Sequence, residues 1–205
     1  MVFGIFFHEN TPEEDFWEWF SKNSEKIYDF VKNQEEIFDR IEEKLRVIHP
    51  DLVFEISAEK NGKREFVISA DGLKSAFPYV INLVKAAKSF NKWKIVAFRQ
   101  RGRLGNIEFK GISLNLEDLF FHSVPYGEDK LGLEIYIRNP KEVTHTVKHA
   151  VFLLLDCAIG EYAVATRVGF VEIMPFPENA TGFDIRPFTL LAKTVDDYFE
   201  KKSHE

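Results

Sequence analysis

Apolar residues recur at helical spacing at Val143, Val147, Ala150, Val151, Leu154, Cys157 and Ala158, and from Ala150 onward they spread around the whole circumference apart from Asp156. The spacing predicts a central helix buried on two sides. Gly160 suits the left-handed residue that ends a helix, and Glu161 and Tyr162 are expected to lead into a strand reaching about Met174.

The pattern is helical at the other end of the chain too. After a short strand expected at Val2 to Phe7, Thr11, Pro12 and Glu14 combine a threonine N-cap, a proline at the first helical position and a glutamate three residues past the cap. Phe16, Trp17, Trp19 and Phe20 crowd this helix with rings. Asn23 and Ser24 permit a kink, Asn33 and Glu36 offer a restart, and Ile27, Phe30, Val31, Phe38, Ile41, Leu45 and Ile48 carry the stripe to His49 and Pro50.

From Asp51 the period changes to two. Leu52, Phe54 and Ile56 alternate with polar or smaller neighbours, Asn61 and Gly62 signal a hairpin turn, and Phe66 and Ile68 continue the alternation. A helix is expected after Asp71 and Gly72 to about Ser89, then a strand from Trp93 to Arg101, a turn to Gly105 and a partner strand over residues 106–111. Leu119 to Val124 and Leu131 to Arg138 predict a second hairpin, followed by the central helix and its strand. Pro187 opens a last helix with Phe188, Leu191, Val195 and Phe199 on its buried side.

These elements imply an α+β fold: a mainly antiparallel sheet from two similar β-β-α-β halves, covered by helices. With no Gly, Ser or Pro linker, one domain is expected over residues 1–205. Its parts are an N-terminal helical region at about 11–49, a first half at about 51–111, a second at about 119–174 and a C-terminal helix at about 187–201.

Composition and charge narrow the function. At 45% hydrophobic the chain can fill a core, so disorder is excluded as a class. No apolar run reaches the length of a bilayer span, and residues 2–7 are too short and lack the basic flank of a signal peptide, so a cytoplasmic protein with no membrane partner is expected. The single cysteine, Cys157, excludes a disulfide framework and a cysteine zinc cluster. Between Glu9 and Arg46 there are twelve acidic and six basic residues, a net of −6 that equals the charge of the whole chain. Lys85 to Lys110 carries eight basic residues against Glu108 alone, so the two stretches are candidates to face each other.

There is no GxGxxG, Walker, GxSxG or HExxH pattern, and no cofactor is expected. Three weaker constellations remain. His145 and His149, four residues apart, have the spacing of a metal pair with Glu142 or Asp156 nearby, against the plainer reading of a solvated helix face, and no metal is expected. Asp156, enclosed by apolar neighbours, needs a partner; with Glu161 and His122 it is a candidate acid and base, against the plainer reading of a carboxylate held by internal donors. Arg99, Arg101 and Arg103 are candidates for anion binding, with Arg99 and Arg101 expected on one face of a strand. The plainer reading is an internal ion pair, and the acidic chain makes nucleic acid a poor partner. Trp17 and Trp19 are interface candidates, because a helix so rich in rings is either covered on both sides or open at one of them.

The segments FWEWF at Phe16, REFVISADG at Arg64, WKIVAFR at Trp93, FLLLDCAIGEY at Phe152 and VGFVEIMP at Val168 resemble those of a group of uncharacterised bacterial proteins. The resemblance implies a bacterial, intracellular, single-domain protein and carries no activity, ligand or site residue. The residues themselves lead to a non-catalytic protein that binds a protein partner or its own copies. The alternative is a small-molecule enzyme or anionic-ligand binder using Asp156, Glu161, Arg99 and Arg101.

Overall fold

The computed structural model describes residues 9–140, 142–179, 182 and 184–203; the strand expected at Val2 to Phe7 lies outside them. The fold is mixed α+β, and the chain divides into two compact units between Phe98 and Arg99.

In the first unit, α1 (Pro12–Tyr28) opens with a complete capping box: Thr11 Oγ1 accepts from the Glu14 amide and the Glu14 carboxylate accepts from the Thr11 amide. It runs unbroken past Asn23, whose side chain donates to the Trp19 carbonyl at 2.8 Å. The break falls later, in a 3-10 turn at Phe30–Lys32, before α2 (Gln34–Ile48). Strands β1 (Val53–Ile56) and β2 (Arg64–Ser69) pair antiparallel through a turn whose Asn61 and Gly62 both have positive φ. After α3 (Phe77–Lys85), shorter than the sequence suggested, β3 (Trp93–Ala97) returns parallel to β2. Phe16, Trp17 and Phe20 of α1 meet Phe66 of β2 edge to face or tilted, filling the core.

In the second unit, β4 (Ile107–Phe109) pairs with β5 (Ile112–Leu114), not with β3 as the alternation implied. Lys110 and Gly111 both adopt positive φ and close a two-residue hairpin without the usual asparagine–glycine signal. Then β6 (Leu119–Tyr126) and β7 (Lys130–Ile137) pair antiparallel, and α4 (His145–Ile159) crosses over their inner face. The strand expected directly after Gly160 is instead a second helix, α5 (Glu161–Arg167), set at 99° to α4. Gly160, at φ +87°, lets the chain turn this sharply, and its carbonyl accepts from the Val164 amide, so α5 begins at once. Strand β8 (Val168–Pro175) follows parallel to β7, and β9 (Arg186–Pro187) adds to β6, giving the order β8-β7-β6-β9. Pro187 therefore lies in a strand; a 3-10 turn at Phe188–Leu190 precedes α6 (Leu191–Lys202).

Leu131, Leu133, Ile135 and Ile137 on the inner face of β7 pack with Val151, Leu154 and Leu155 of α4 and with Leu191 and Val195 of α6. A hairpin followed by a helical crossover to a parallel strand thus occurs in each unit, as β1-β2-α3-β3 and as β6-β7-α4-α5-β8. Among the described residues no single helix is long and apolar enough to cross a membrane.

Candidate functional site

The arginine-rich segment is not a strand. β3 ends at Ala97, the Phe98 amide makes the last bond to β2 at the Ile68 carbonyl, and Phe98 at φ +62° turns the chain out of the ladder. Arg99 and Arg101 consequently do not form the paired fork expected of alternate strand positions. They lie against the C-terminal end of α4, where helix carbonyls lack intrahelical donors and the dipole favours cations. The Gly102 amide donates to the Cys157 carbonyl at 2.9 Å and Arg101 Nε to the Ile159 carbonyl at 3.0 Å. Both Arg101 terminal nitrogens then grip Asp196 of α6, at 2.8 and 2.7 Å, a bidentate pair that lowers the Asp196 carboxyl below its ordinary value.

The two buried carboxylates belong to the same clamp. Asp156 accepts from Arg99 Nη1 at 3.4 Å, with both side chains largely enclosed at 8% and 14% exposed. Glu161, fully buried at the start of α5, accepts from the Arg99 amide at 3.0 Å and donates its own amide to the Arg99 carbonyl at 2.9 Å. The structure thus brings Asp156, Glu161, Arg99 and Arg101 together as a helix-end lock. Burial raises the Cys157 thiol above its ordinary value, which keeps it protonated, and its sulfur lies 3.5 Å from the Arg103 carbonyl. The Arg103 side chain is exposed and makes no ion pair among the described residues.

His122 is elsewhere. Phe121 points into the core, so its neighbour His122 is on the opposite face of the sheet from α4, away from Asp156 and Glu161. There His122 Nδ1 lies 3.1 Å from Glu134 Oε2, which also accepts from the Tyr136 hydroxyl at 2.6 Å. The Tyr136 hydroxyl holds the Glu134 carboxyl below its ordinary value, while burial, with Glu134 adding to it, pushes Tyr136 up to about 12. Glu134 and Tyr136 were missed by sequence reasoning. The hairpin around Gly127 offered the signal, since its register sets residue 134 opposite 122.

His145 is exposed and His149 is half-buried with its ring 4.8 Å from that of Phe109; among the described residues no group of three or more His, Cys, Asp or Glu side chains could hold a metal ion. Trp17 is fully buried, its indole donating to the Leu83 carbonyl at 2.6 Å, and Trp93 donates to Ser24 Oγ at 3.0 Å. Trp19 is only half-buried. It lines a cleft of about 540 Å³ at the elbow of α1 and α2, with Ile27 and Ile37 as further apolar lining and with Glu25, Asp29 and Glu36 balanced by Lys26, Lys32 and Arg40. Sequence reasoning missed this cleft, although the helix restart it allowed at Asn33 lies at the elbow that opens it.

Compared with family models, with curated proteins and with solved structures, the chain matches none.

Proposed function

We propose that this is a non-catalytic, cytoplasmic protein that binds a basic segment of a protein partner through the cleft between α1 and α2. The carrying observation is that cleft: a half-buried Trp19 with Ile27 and Ile37, set in the stretch whose net charge of −6 is that of the whole chain. Its volume suits a few inserted side chains. The three acids of its lining are matched in number by Lys26, Lys32 and Arg40, and among the described residues they make exposed ion pairs, Asp29 with Lys32, Glu36 with Arg40 and Glu25 with Lys92. Such pairs contribute roughly 0–1 kcal/mol each, so a partner's cations can replace them at little cost. The wider field of the two helices would steer a basic partner toward them. The alternative, an enzyme or anion binder built on Asp156, Glu161, Arg99 and Arg101, gains nothing from residues already committed to the end of α4.

Calorimetric titration with an amphipathic helical peptide of leucine and lysine tests the reading, with a leucine–glutamate peptide as control. Glu36→Lys should weaken binding about tenfold, more than Glu42→Lys, which changes net charge equally but lies outside the cleft lining. Equal effects of the two reversals would mean that only overall charge is being read.

A further inference from the structure

The two edges of the second unit's sheet are built differently. The β9 edge is blunted: two residues long, containing Pro187, and running straight into a 3-10 turn and α6. The β8 edge is eight residues long and carries one charge, Glu172. Every second residue of a strand turns its N–H and C=O toward the far side, and among the described residues no hydrogen bond reaches that side of β8. A groove of about 280 Å³ runs beside it, lined by Val171, Glu172, Ile173 and Met174 from β8 and by Lys148 and Phe152 from α4. Phe152 is 41% exposed, unusual for a large ring on the main core helix. An open ladder with an apolar groove alongside is the arrangement by which an extended peptide adds to a sheet.

We infer that β8 is a docking edge for an extended segment of another protein, with apolar residues facing the α4 side and a basic residue set opposite Glu172. The inward positions of an added strand would lie beside Val171 and Ile173, against Phe152. Its outward positions would lie on the face that Glu172 shares with Glu134, directly opposite it on β7. Two carboxylates facing each other across a ladder are mutually repulsive, and a cation added at Glu172 relieves that repulsion. Lys148 at the groove disfavours a second cation on the inward side.

The charge pattern also selects against a second copy of this chain as occupant. Antiparallel pairing about a twofold keeps each side chain on its own face of the sheet. The register that sets Phe170 against Met174 and Val171 against Ile173 therefore sets Glu172 against itself. The bulge between Leu131 and Gly132 leaves Gly169 outside the regular ladder, which confines the usable edge to Phe170–Pro175.

The test uses the full chain and two acetylated, amidated hexapeptides, one alternating lysine and valine and one alternating glutamate and valine. The lysine–valine peptide is expected to bind saturably, to add amide-exchange protection over Phe170–Met174, and to lose about tenfold in affinity with Phe152→Ala, whose exposed ring leaves folding intact. Glu172→Lys should reverse the preference between the two peptides. Protection that fails to appear on β8 at saturation, or a preference unmoved by Glu172→Lys, overturns the inference. So does a concentration-dependent dimer with β8 protected in the absence of peptide, which would make a second copy the occupant. None of these readouts involves the α1–α2 cleft, so either reading can fail alone.

Discussion

Glu161 and Arg99 exchange two hydrogen bonds, the Glu161 carboxylate accepting from the Arg99 amide and the Glu161 amide donating to the Arg99 carbonyl. One residue thus ties the backbone of Arg99 to the start of α5. Glu161→Ala leaves the Arg99 amide without this acceptor in a fully buried setting, at a cost of roughly 1–3 kcal/mol, whereas Glu161→Gln keeps an acceptor oxygen and should cost less. Urea unfolding of the two variants checks the order.

The grip of Arg101 on Asp196 makes part of the stability acid-sensitive. Arg101 lowers the Asp196 carboxyl below 3.8, so the contribution is present above that value and is lost as pH falls through the lower folded value. Both side chains are about two-fifths exposed, which limits the pair to roughly 1 kcal/mol and makes it salt-sensitive. Arg101→Ala should therefore destabilise the protein at pH 7 by about that amount plus the lost bond to the Ile159 carbonyl, and the ion-pair share of the difference should vanish in acid. Unfolding midpoints of both proteins between neutral and strongly acidic pH measure this.

Tyr136 makes the opposite end of the pH range informative. Its hydroxyl titrates at about 12 in the folded chain against an ordinary 10.0, so its contribution is fully present below pH 10.0 and is lost as pH rises toward 12. Between those values the unfolded state releases the proton first, and stability falls by at most about 1.4 kcal/mol per pH unit. Relative to Tyr136→Phe, the wild type should lose stability only in this alkaline window. Parallel curves for the two proteins through pH 12 would contradict the buried Tyr136–Glu134 bond.

The parts of the fold legible in the sequence are those fixed by local chemistry. The capping box at Thr11, the turn at Asn61 and Gly62 and the alternation of β6 and β7 each name their own geometry. What misled was context. Glu161 to Arg167 follows a glycine stop and contains Tyr162 and the β-branched Val164 and Thr166, yet burial of Val164 and Ala165 draws it into a helix. The fate of Arg99 and Arg101 was equally illegible, because it depends on where the end of α4 lies in space and not on the strand period their spacing suggested. The need of Asp156 for a partner was legible from its apolar neighbours; that Arg99 supplies it was not.

The most direct test of the proposed function follows the fluorescence of Trp19. Trp17 and Trp93 are buried with their indole nitrogens bonded to Leu83 and Ser24, which leaves the half-buried Trp19 ring as the responsive one. Adding the leucine–lysine peptide should shift the emission to the blue in a saturable, salt-sensitive manner, and the shift should be absent in Trp19→Phe and with the leucine–glutamate peptide. An unchanged spectrum with the basic peptide, or the same shift in Trp19→Phe, would contradict binding in the α1–α2 cleft.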